Sequence, residues 1–129
     1  MEEQNQWCFA CGKQNPIGLK LEFYEENDRY YTKFTAGPEH QSYDHVVHGG
    51  IVSTLLDEIT ARYIHQRGLN AVTARLEIRY RHPTPIGQEL TISGWITGQR
   101  RNMYELAGKI ELPDGTVTAE AKATVAVIK

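Results

Sequence analysis

The chain has 129 residues, enough for one compact domain with its own core and too few for two comfortable ones. Hydrophobic residues make up 40% and charged residues 23%, as in an ordinary folded globular protein. Fourteen basic against 16 acidic side chains leave a formal charge of −2, which argues against the broad cationic surface of a nucleic-acid-binding protein. We expect a single domain over residues 1–129, with residues 1–18 as a lead-in segment.

The first residues and the cysteines bear on where the protein works. Residues 1–6 are polar and acidic, without the positive cluster and apolar run of a secretory signal. No stretch approaches the roughly 20 apolar residues that a helix needs to span a bilayer. Cys8 and Cys11 are too close in sequence to staple distant segments as disulfides. We therefore expect a cytoplasmic protein with no membrane partner.

Alternating apolar and polar side chains predict a hairpin in the first third of the chain. Residues 19–26 alternate with a period of two, as in a strand with one buried face. Residues 27–28 suit a turn, and residues 29–35 are predicted to form the second strand. Gly37 and the proline after it end this strand before a polar loop over residues 40–45.

A single long helix is predicted in the middle of the chain. From Gly49 onwards the apolar residues recur at spacings of three and four, as on one face of a helix. These residues are Ile51, Val52, Leu55, Leu56, Ile59, Tyr63 and Ile64. Gly68 is suited to stop the helix, so we expect it to run from Gly49 to Gln66, roughly 27 Å at 1.5 Å per residue.

Four further strands are predicted after the helix, over residues 72–80, 90–97, 104–110 and 117–127. The predicted buried face of the first carries Val72, Ala74, Leu76, Ile78 and Tyr80. The last strand has small residues on that face, and the helix can therefore lie close to Ala119, Ala121 and Ala123. This order of elements favours an α+β fold, an antiparallel sheet of about six strands curled around one helix. One helix cannot cover every apolar edge, so pairing with a second copy is expected.

The start of the helix is a candidate site for a negatively charged oxygen. His48, Gly49 and Gly50 lie where the first N–H groups of a helix have no intrahelical partner and the helix dipole favours negative charge. Glycine also lets a ligand approach the backbone closely. On these residues alone a structural alternative carries equal weight, namely a tight turn from loop to helix with His48 as its cap.

Asp57 is the candidate catalytic carboxylate. Its helical neighbours three and four residues away carry no positive charge. Glu58 differs, because Arg62 stands four residues later in the orientation of a helix-surface ion pair, which gives Glu58 a structural role. A carboxylate among apolar helix residues costs stability if it is buried, which favours a functional Asp57 over a solvated one.

Other reactive side chains carry weaker signals. Cys8 and Cys11 could be half of a zinc knuckle, but there is no second pair of cysteines, and the spacing of His40, His45 and His48 matches no common metal motif. We therefore expect no metal and interpret the cysteines as small apolar side chains. A cysteine–histidine protease arrangement has no support in the spacing. Five arginines could meet the phosphates of a nucleotide-like ligand or form a solvated face with Glu77. They are Arg75, Arg79, Arg81, Arg100 and Arg101.

Three motifs together resemble the PaaI-like branch of the hotdog-fold thioesterases. The first is Cys8-Phe9-Ala10-Cys11-Gly12 followed by Asn15-Pro16-Ile17-Gly18-Leu19. The second is His48-Gly49-Gly50 followed by Leu56-Asp57-Glu58, and the third runs from Val72-Thr73-Ala74-Arg75 to Arg81-His82-Pro83. An acid nine positions after the motif histidine is fairly specific to these enzymes.

The resemblance implies a hotdog fold in homodimers or dimer-of-dimers tetramers, with each active site at a dimer interface. It implies that the N–H of Gly49 polarises the carbonyl of an acyl-CoA thioester while Asp57 of the other subunit activates water or attacks directly. By the same resemblance His48 helps hold the thioester end, and the hydroxyl of Thr73 assists the carboxylate or its water. CoA is then part of the substrate, and no separate cofactor is expected.

The resemblance also guides the choice of substrate-binding residues. Several relatives carry an amide side chain six residues before the motif histidine, where this chain has Ser42, and Gln41 or His40 could take its place. Arg75 and Arg81 are candidates for the CoA phosphates. The full set of candidate substrate-binding residues is Gly50, His40, Gln41, Ser42, Arg75 and Arg81.

Two other functions are also compatible with the sequence. An acyl-CoA hydratase or dehydratase can occupy the same fold, although such relatives usually lack an acid nine residues past the histidine. A non-catalytic module that binds acyl-CoA or an aromatic ligand would not need Asp57. The acyl group is open as well, with phenylacetyl, hydroxybenzoyl and medium-chain fatty acyl groups all compatible.

Overall fold

The computed structural model describes residues 5–128 and shows one long helix and six strands. They are β1 (Phe23–Glu26), β2 (Arg29–Thr35), α1 (Gly49–His65), β3 (Ala71–Tyr80), β4 (Glu89–Arg100), β5 (Met103–Glu111) and β6 (Val117–Val127), with a 3-10 turn at Pro38–His40. The strands form one antiparallel sheet in the order β1-β2-β4-β5-β6-β3, against which α1 packs. The predicted α+β architecture is confirmed.

Two expectations from the sequence concern the N-terminal residues and membrane-spanning helices. Residues 1–4, which begin the expected lead-in segment and the polar N-terminus, lie outside the described residues. Within residues 5–128, no helix combines the length and the apolar character that crossing a membrane requires.

The helix lies close to the sheet because small residues form a row beneath it. Gly94 of β4 pairs with Gly108 of β5, which pairs in turn with Ala121 of β6. A Cβ added at Gly94 would stand 3.0 Å from the Ile59 carbonyl oxygen, and one at Gly108 would stand 3.4 Å from the Ile59 side chain. Ile59 is fully buried and fills the space that the missing Cβ atoms leave. The β6 residues expected beneath the helix are also buried, namely Ala119, Ala121 and Ala123.

The N-terminal hairpin is shorter than predicted. Residues 27–28 form its turn with φ values of 53° and 60°, left-handed values that asparagine and aspartate tolerate. β1 begins only at Phe23, whereas the period-two pattern predicted a strand from Leu19. Leu19 and Leu21 are buried, but their N–H groups donate to the carbonyl oxygens of residues 9–10. Buried and exposed side chains therefore do alternate over residues 19–26, but residues 19–22 pack against the N-terminal segment and not in the hairpin.

Strand β3 contains a β-bulge that changes which side chains face the helix. Its pairing register with β6 shifts between Thr73 and Arg75, which leaves Ala74 as the extra residue. Thr73 therefore faces the helix on the same side as Leu76. The prediction of a buried face is wrong for three residues, which the structure exposes: Val72, Ala74 and Tyr80.

Candidate active site

The first turn of α1 leaves one backbone N–H group free. The carbonyl oxygen of His48 accepts from the N–H groups of Ile51 and Val52 at 2.9 and 3.1 Å. The His48 Nδ1 accepts from the Gly50 N–H at 2.8 Å. Within residues 5–128 the Gly49 N–H has no acceptor. A free N–H at the positive end of a helix dipole is suited to bind an oxyanion.

The hydrogen bond to His48 also defines where its ring carries a proton. Because Nδ1 accepts a hydrogen bond, the neutral ring holds its proton on Nε2. The His48 side chain is exposed, so Nε2–H can donate to a ligand. The capping role and the ligand-binding role predicted for His48 therefore use different nitrogen atoms and are compatible.

Asp57 and Thr73 meet across the gap between α1 and β3. The Thr73 Oγ1 donates to the Asp57 Oδ1 at 2.6 Å, and both residues are half-buried. Among the described residues no donor contacts the other carboxylate oxygen, Oδ2. The structure thus brings together the predicted carboxylate and the predicted hydroxyl and leaves one carboxylate oxygen open.

Tyr80 belongs to this region, although the sequence pattern assigned it to the core. Its hydroxyl donates to the Gly49 carbonyl oxygen at 3.1 Å, and a Cβ added at Gly49 would lie 3.7 Å from its ring. The side chain is 55% exposed. No local pattern could have revealed this contact, because it depends on β3 ending beside the start of the helix.

An open cavity of about 350 Å³ lies beside the start of α1, within the size range of small-ligand sites. Four of the predicted site residues line it: His40, Gln41, His48 and Gly50. Phe9 and Ile51 add an apolar wall, and Glu39 and Thr54 complete the lining. Phe9 stands between the two cysteines of the first motif, and no feature of the sequence marks it as a site residue.

The loop before the helix is held by its own side chains. The Gln41 Oε1 accepts from the His45 N–H at 2.7 Å, and the His40 Nδ1 accepts from the Gly37 N–H at 3.0 Å. These bonds leave the Gln41 amide nitrogen and the His40 Nε2 for contact with a ligand. Ser42 is exposed and does not line the cavity.

The predicted arginines do not line this cavity. Arg81 pairs with Glu120 at 2.9 Å, whereas the Arg75 guanidinium lies 3.9 Å from Glu77 and its side chain is 78% exposed. Arg79 lines a second groove on the sheet, which holds none of the predicted catalytic residues. Within one chain, Arg75 and Arg81 each lie beside a glutamate on an exposed part of the sheet.

Glu58 does not form the expected ion pair with Arg62. No ion pair within residues 5–128 joins the two, and the Arg62 Nη1 lies 3.4 Å from the Cys11 Sγ. Glu58 is half-buried near Cys8 and Cys11, and this burial raises the pKa of its carboxyl group. Burial likewise raises the pKa of the Cys11 thiol to about 12. The surface-pair prediction is wrong because the N-terminal segment covers this part of the helix.

The two halves of the predicted site lie far apart in one chain. Gly49 and Asp57 are both on α1, and their eight-residue separation corresponds to about 12 Å along the axis. One carbonyl group cannot contact both, since a hydrogen bond spans only about 3 Å. Within one chain, the two predicted catalytic groups are therefore too far apart to act on the same carbonyl group.

Comparisons with known proteins connect this geometry to a family. The thioesterase superfamily matches residues 44–119 of the sequence. No curated protein matches the chain. Among solved structures, protein RHA08564, a thioesterase superfamily protein, is 25% identical with a TM-score of 0.86 over 95% of this chain and 61% of its own. The present chain therefore spans less than two thirds of that protein's length.

Two similar proteins have been solved with coenzyme A. A hypothetical thioesterase protein from Streptococcus pneumoniae TIGR4 is 25% identical, with a TM-score of 0.77 over 84% of this chain and 85% of its own. The BH2602 protein from Bacillus halodurans is 27% identical, with a TM-score of 0.77 over 88% of this chain and 77% of its own. With most of its length matched by the family and its fold shared with these structures, the chain belongs to the thioesterase superfamily and has the hotdog fold.

Proposed function

We propose that the chain is an acyl-CoA thioesterase, which cleaves the thioester with water to release a free acid and the thiol of CoA. The hydrogen bond between Thr73 and Asp57 carries the proposal, because it holds a half-buried carboxylate with one open oxygen beside an edge strand. Membership of the thioesterase superfamily supports the reaction class. The coenzyme A in two similar structures supports acyl-CoA as the substrate class.

A second copy of the chain would complete the proposed site. β3 is an edge strand, so one side of its backbone has no partner strand within residues 5–128. When two copies pair antiparallel through β3 about a two-fold axis at its centre, Thr73 of one copy comes opposite Ile78 of the other, two residues before Tyr80. Because Tyr80 contacts Gly49, this pairing brings Gly49 of one copy towards Asp57 of the other. We therefore propose a homodimer as the minimal active unit.

Each group has a role in the proposed reaction. The Gly49 N–H stabilises the negative charge that develops on the carbonyl oxygen during attack. Asp57 either takes a proton from the attacking water or adds to the carbonyl carbon itself, forming an anhydride that water then opens. Thr73 orients the carboxylate, and His48 donates from Nε2 to the thioester end. In both routes the carbon–sulfur bond breaks and CoA leaves as the thiolate, which takes up a proton.

Variants of a similar protein share the spacing of the proposed pair. Structures of the Streptococcus pneumoniae protein include one with a threonine and one with an aspartate replaced by alanine, at positions sixteen residues apart. Asp57 and Thr73 are also sixteen residues apart. This correspondence supports the choice of the pair as the centre of the proposed site.

The cavity beside the helix start is the proposed place for the part of the substrate next to the thioester. Gly50, His40 and Gln41 supply its polar lining, and Phe9 with Ile51 supplies an apolar wall. Of the two arginines proposed for the CoA phosphates, Arg75 is the more available, because its contact with a glutamate is longer than that of Arg81.

Release of free CoA from a panel of aryl and fatty acyl-CoAs tests the proposal. The wild type should turn over at least one member, and Asp57→Asn should lower kcat/KM at least a hundredfold while remaining folded. Asp114→Asn, in the turn between β5 and β6, is the matched control and should behave as wild type, because its side chain caps only its own turn.

Two outcomes would redirect the assignment. Tight binding of intact acyl-CoA without turnover, unaffected by Asp57→Asn, would favour a binding module. Addition of water across the double bond of an enoyl-CoA, without release of CoA, would favour a hydratase.

A further inference from the structure

Three side chains that can bind a metal ion converge beside the Glu58 turn of α1. The Sγ atoms of Cys8 and Cys11 and a carboxylate oxygen of Glu58 all lie within 4.8 Å of one another, and all three residues are half-buried. In a tetrahedral zinc site with bonds of about 2.0–2.3 Å, neighbouring ligand atoms stand roughly 3.3–3.8 Å apart. Small side-chain rotations would therefore close this cluster on one ion.

The backbone around the cysteines is shaped to hold both sulfur atoms on one side. The Cys11 N–H donates to the Cys8 Sγ at 3.4 Å, and the Gly12 N–H donates to the Cys8 carbonyl oxygen at 2.8 Å. A Cβ added at Gly12 would overlap the backbone of Gln6 and stand 2.5 Å from the Cys8 nitrogen, so this tight turn requires glycine. Metals bind the thiolate form of cysteine, so an ion bound here would displace the thiol proton of each cysteine.

The turn is anchored to the rest of the fold. Ala10, between the cysteines, is buried, and its carbonyl oxygen accepts from the N–H of the buried Leu21 at 2.9 Å. The Phe9 carbonyl oxygen accepts from the Leu19 N–H at 2.8 Å. These bonds hold the cysteine pair in place, so a metal ion would find its ligands already gathered.

The charges around the cluster balance with a divalent cation. Two thiolates and one carboxylate carry three negative charges, and a divalent ion leaves one of them uncompensated. Arg62, whose Nη1 lies 3.4 Å from the Cys11 Sγ, supplies the remaining positive charge. The Arg62 Nε is buried and has no hydrogen-bond partner within residues 5–128. A hydrogen bond from a neighbouring side chain to a metal ligand helps to orient that ligand, and Arg62 could do so for Cys11.

We propose that Cys8, Cys11 and Glu58 bind one divalent cation of the zinc type, with Arg62 supporting the Cys11 thiolate and the fourth position open to solvent. Two thiolates select zinc over magnesium or calcium, which prefer oxygen ligands. The ion would fasten the N-terminal segment to α1 one residue beyond Asp57. It would thereby also hold Phe9 in the wall of the cavity.

Cobalt(II) is a suitable probe, because thiolate ligands give it an intense charge-transfer absorption. The full chain is reduced, stripped of metal with a chelator and titrated with cobalt and then with zinc. We expect one cobalt per chain, displaced by zinc. Cys8→Ser and Cys11→Ser should each abolish the sulfur absorption, and Glu58→Gln should weaken binding at least tenfold while keeping that absorption.

Two further variants separate the site from general surface charge. Arg62→Gln should weaken zinc binding about 10- to 100-fold, the usual effect of losing a group that supports a ligand. Glu26→Gln, which changes an exposed carboxylate at the β1–β2 turn, should leave the affinity unchanged. Equal affinity in the wild type and in Cys11→Ser would overturn the proposal.

The wild type alone gives a decisive answer if the serine variants fail to fold. Saturating zinc should raise the melting temperature of the reduced chain, because the ion binds the folded state. The proposal is refuted if a thiol assay finds both cysteines reduced and yet cobalt gives no absorption and zinc does not raise the melting temperature. Neither readout uses turnover, so the result stands whether or not the chain hydrolyses acyl-CoA.

Discussion

Thr73 donates a 2.6 Å hydrogen bond to Asp57, and it does so because the β-bulge at Ala74 turns its side chain towards the helix. In a regular strand Thr73 would point away from the side on which Leu76 packs, since side chains alternate between the two faces. One extra residue reverses that alternation. The bulge therefore decides whether the carboxylate on α1 has a hydroxyl partner.

We expect Thr73→Val to lower kcat/KM for CoA release about 10- to 100-fold, because it removes a hydrogen bond to a charged group while keeping the shape of the side chain. Thr73→Ser retains the hydroxyl and should stay within about threefold of wild type. Steady-state assays on both variants check this expectation. Equal activity of the valine variant and the wild type would rule out a role for the hydroxyl.

Gly49 offers a matched pair of variants for the proposed oxyanion contact. Gly49→Pro removes the N–H at the first helical position, where proline is well tolerated, and should lower kcat at least tenfold. Gly49→Ala keeps the N–H, and its Cβ would meet the Tyr80 ring at an ordinary 3.7 Å, so most activity should remain. If the two variants behave alike, the N–H of Gly49 does not act in the reaction.

Mixing two impaired variants tests whether two copies form each site. Asp57→Asn and Gly49→Pro chains, unfolded and refolded together, should regain about a quarter of wild-type activity, because half of the random dimers have one intact site. Each variant refolded alone should keep no more than about a tenth of wild-type activity, and sedimentation should show dimers. A mixture with no more activity than its components would place the site within one chain.

Tyr80→Phe should lower kcat about two- to tenfold with little change in KM, because the lost hydrogen bond positions the Gly49 backbone rather than binding substrate. Tyr24→Phe, on the exposed hairpin, is the control and should match wild type. The melting temperature should be unchanged in both variants. A fall in melting temperature without a change in kcat would indicate that Tyr80 serves stability alone.

The close approach of helix and sheet predicts a stability difference between two glycines of β4. Gly94→Ala forces a Cβ to within 3.0 Å of the Ile59 carbonyl oxygen and should lower the free energy of unfolding. Overpacking of this kind costs about 1–3 kcal/mol. Gly98→Ala meets nothing closer than 3.9 Å and should change stability by less than about 0.5 kcal/mol. Denaturant unfolding of both variants measures the difference.

The raised pKa of Tyr63 predicts that the protein loses stability in alkaline solution. Burial, reinforced by a 2.6 Å hydrogen bond to Glu25, raises the pKa of its hydroxyl from 10.0 to about 12. The stabilising effect is complete below pH 10, where the hydroxyl is neutral in both states, and is lost as the pH rises towards 12 because the unfolded chain ionises first. Tyr63→Phe should show a shallower decline of unfolding free energy over this range. Parallel curves would mean that other groups cause the decline.

Local periodicity predicted the helix and the six strands, apart from the start of β1 and the buried face of β3. The spacing of three and four from Gly49 predicted α1, and alternation predicted the strands after it, because burial of one face leaves that record in any amphipathic element. The pairing of Asp57 with the Thr73 hydroxyl was expected only from a family resemblance, and its 2.6 Å contact is a result of the structure.

Packing between distant segments decided which side chains meet in the candidate site. The sequence by itself determined the helix, the antiparallel strands and the position of an acid among the apolar residues of the helix. These features depend only on neighbours within a few positions of each residue. Only the tertiary structure decided that Thr73 faces Asp57, that Tyr80 contacts Gly49, and that the cysteine pair meets Glu58. A bulge and a contact between distant segments arise from how elements fit together, and no local period records that fit.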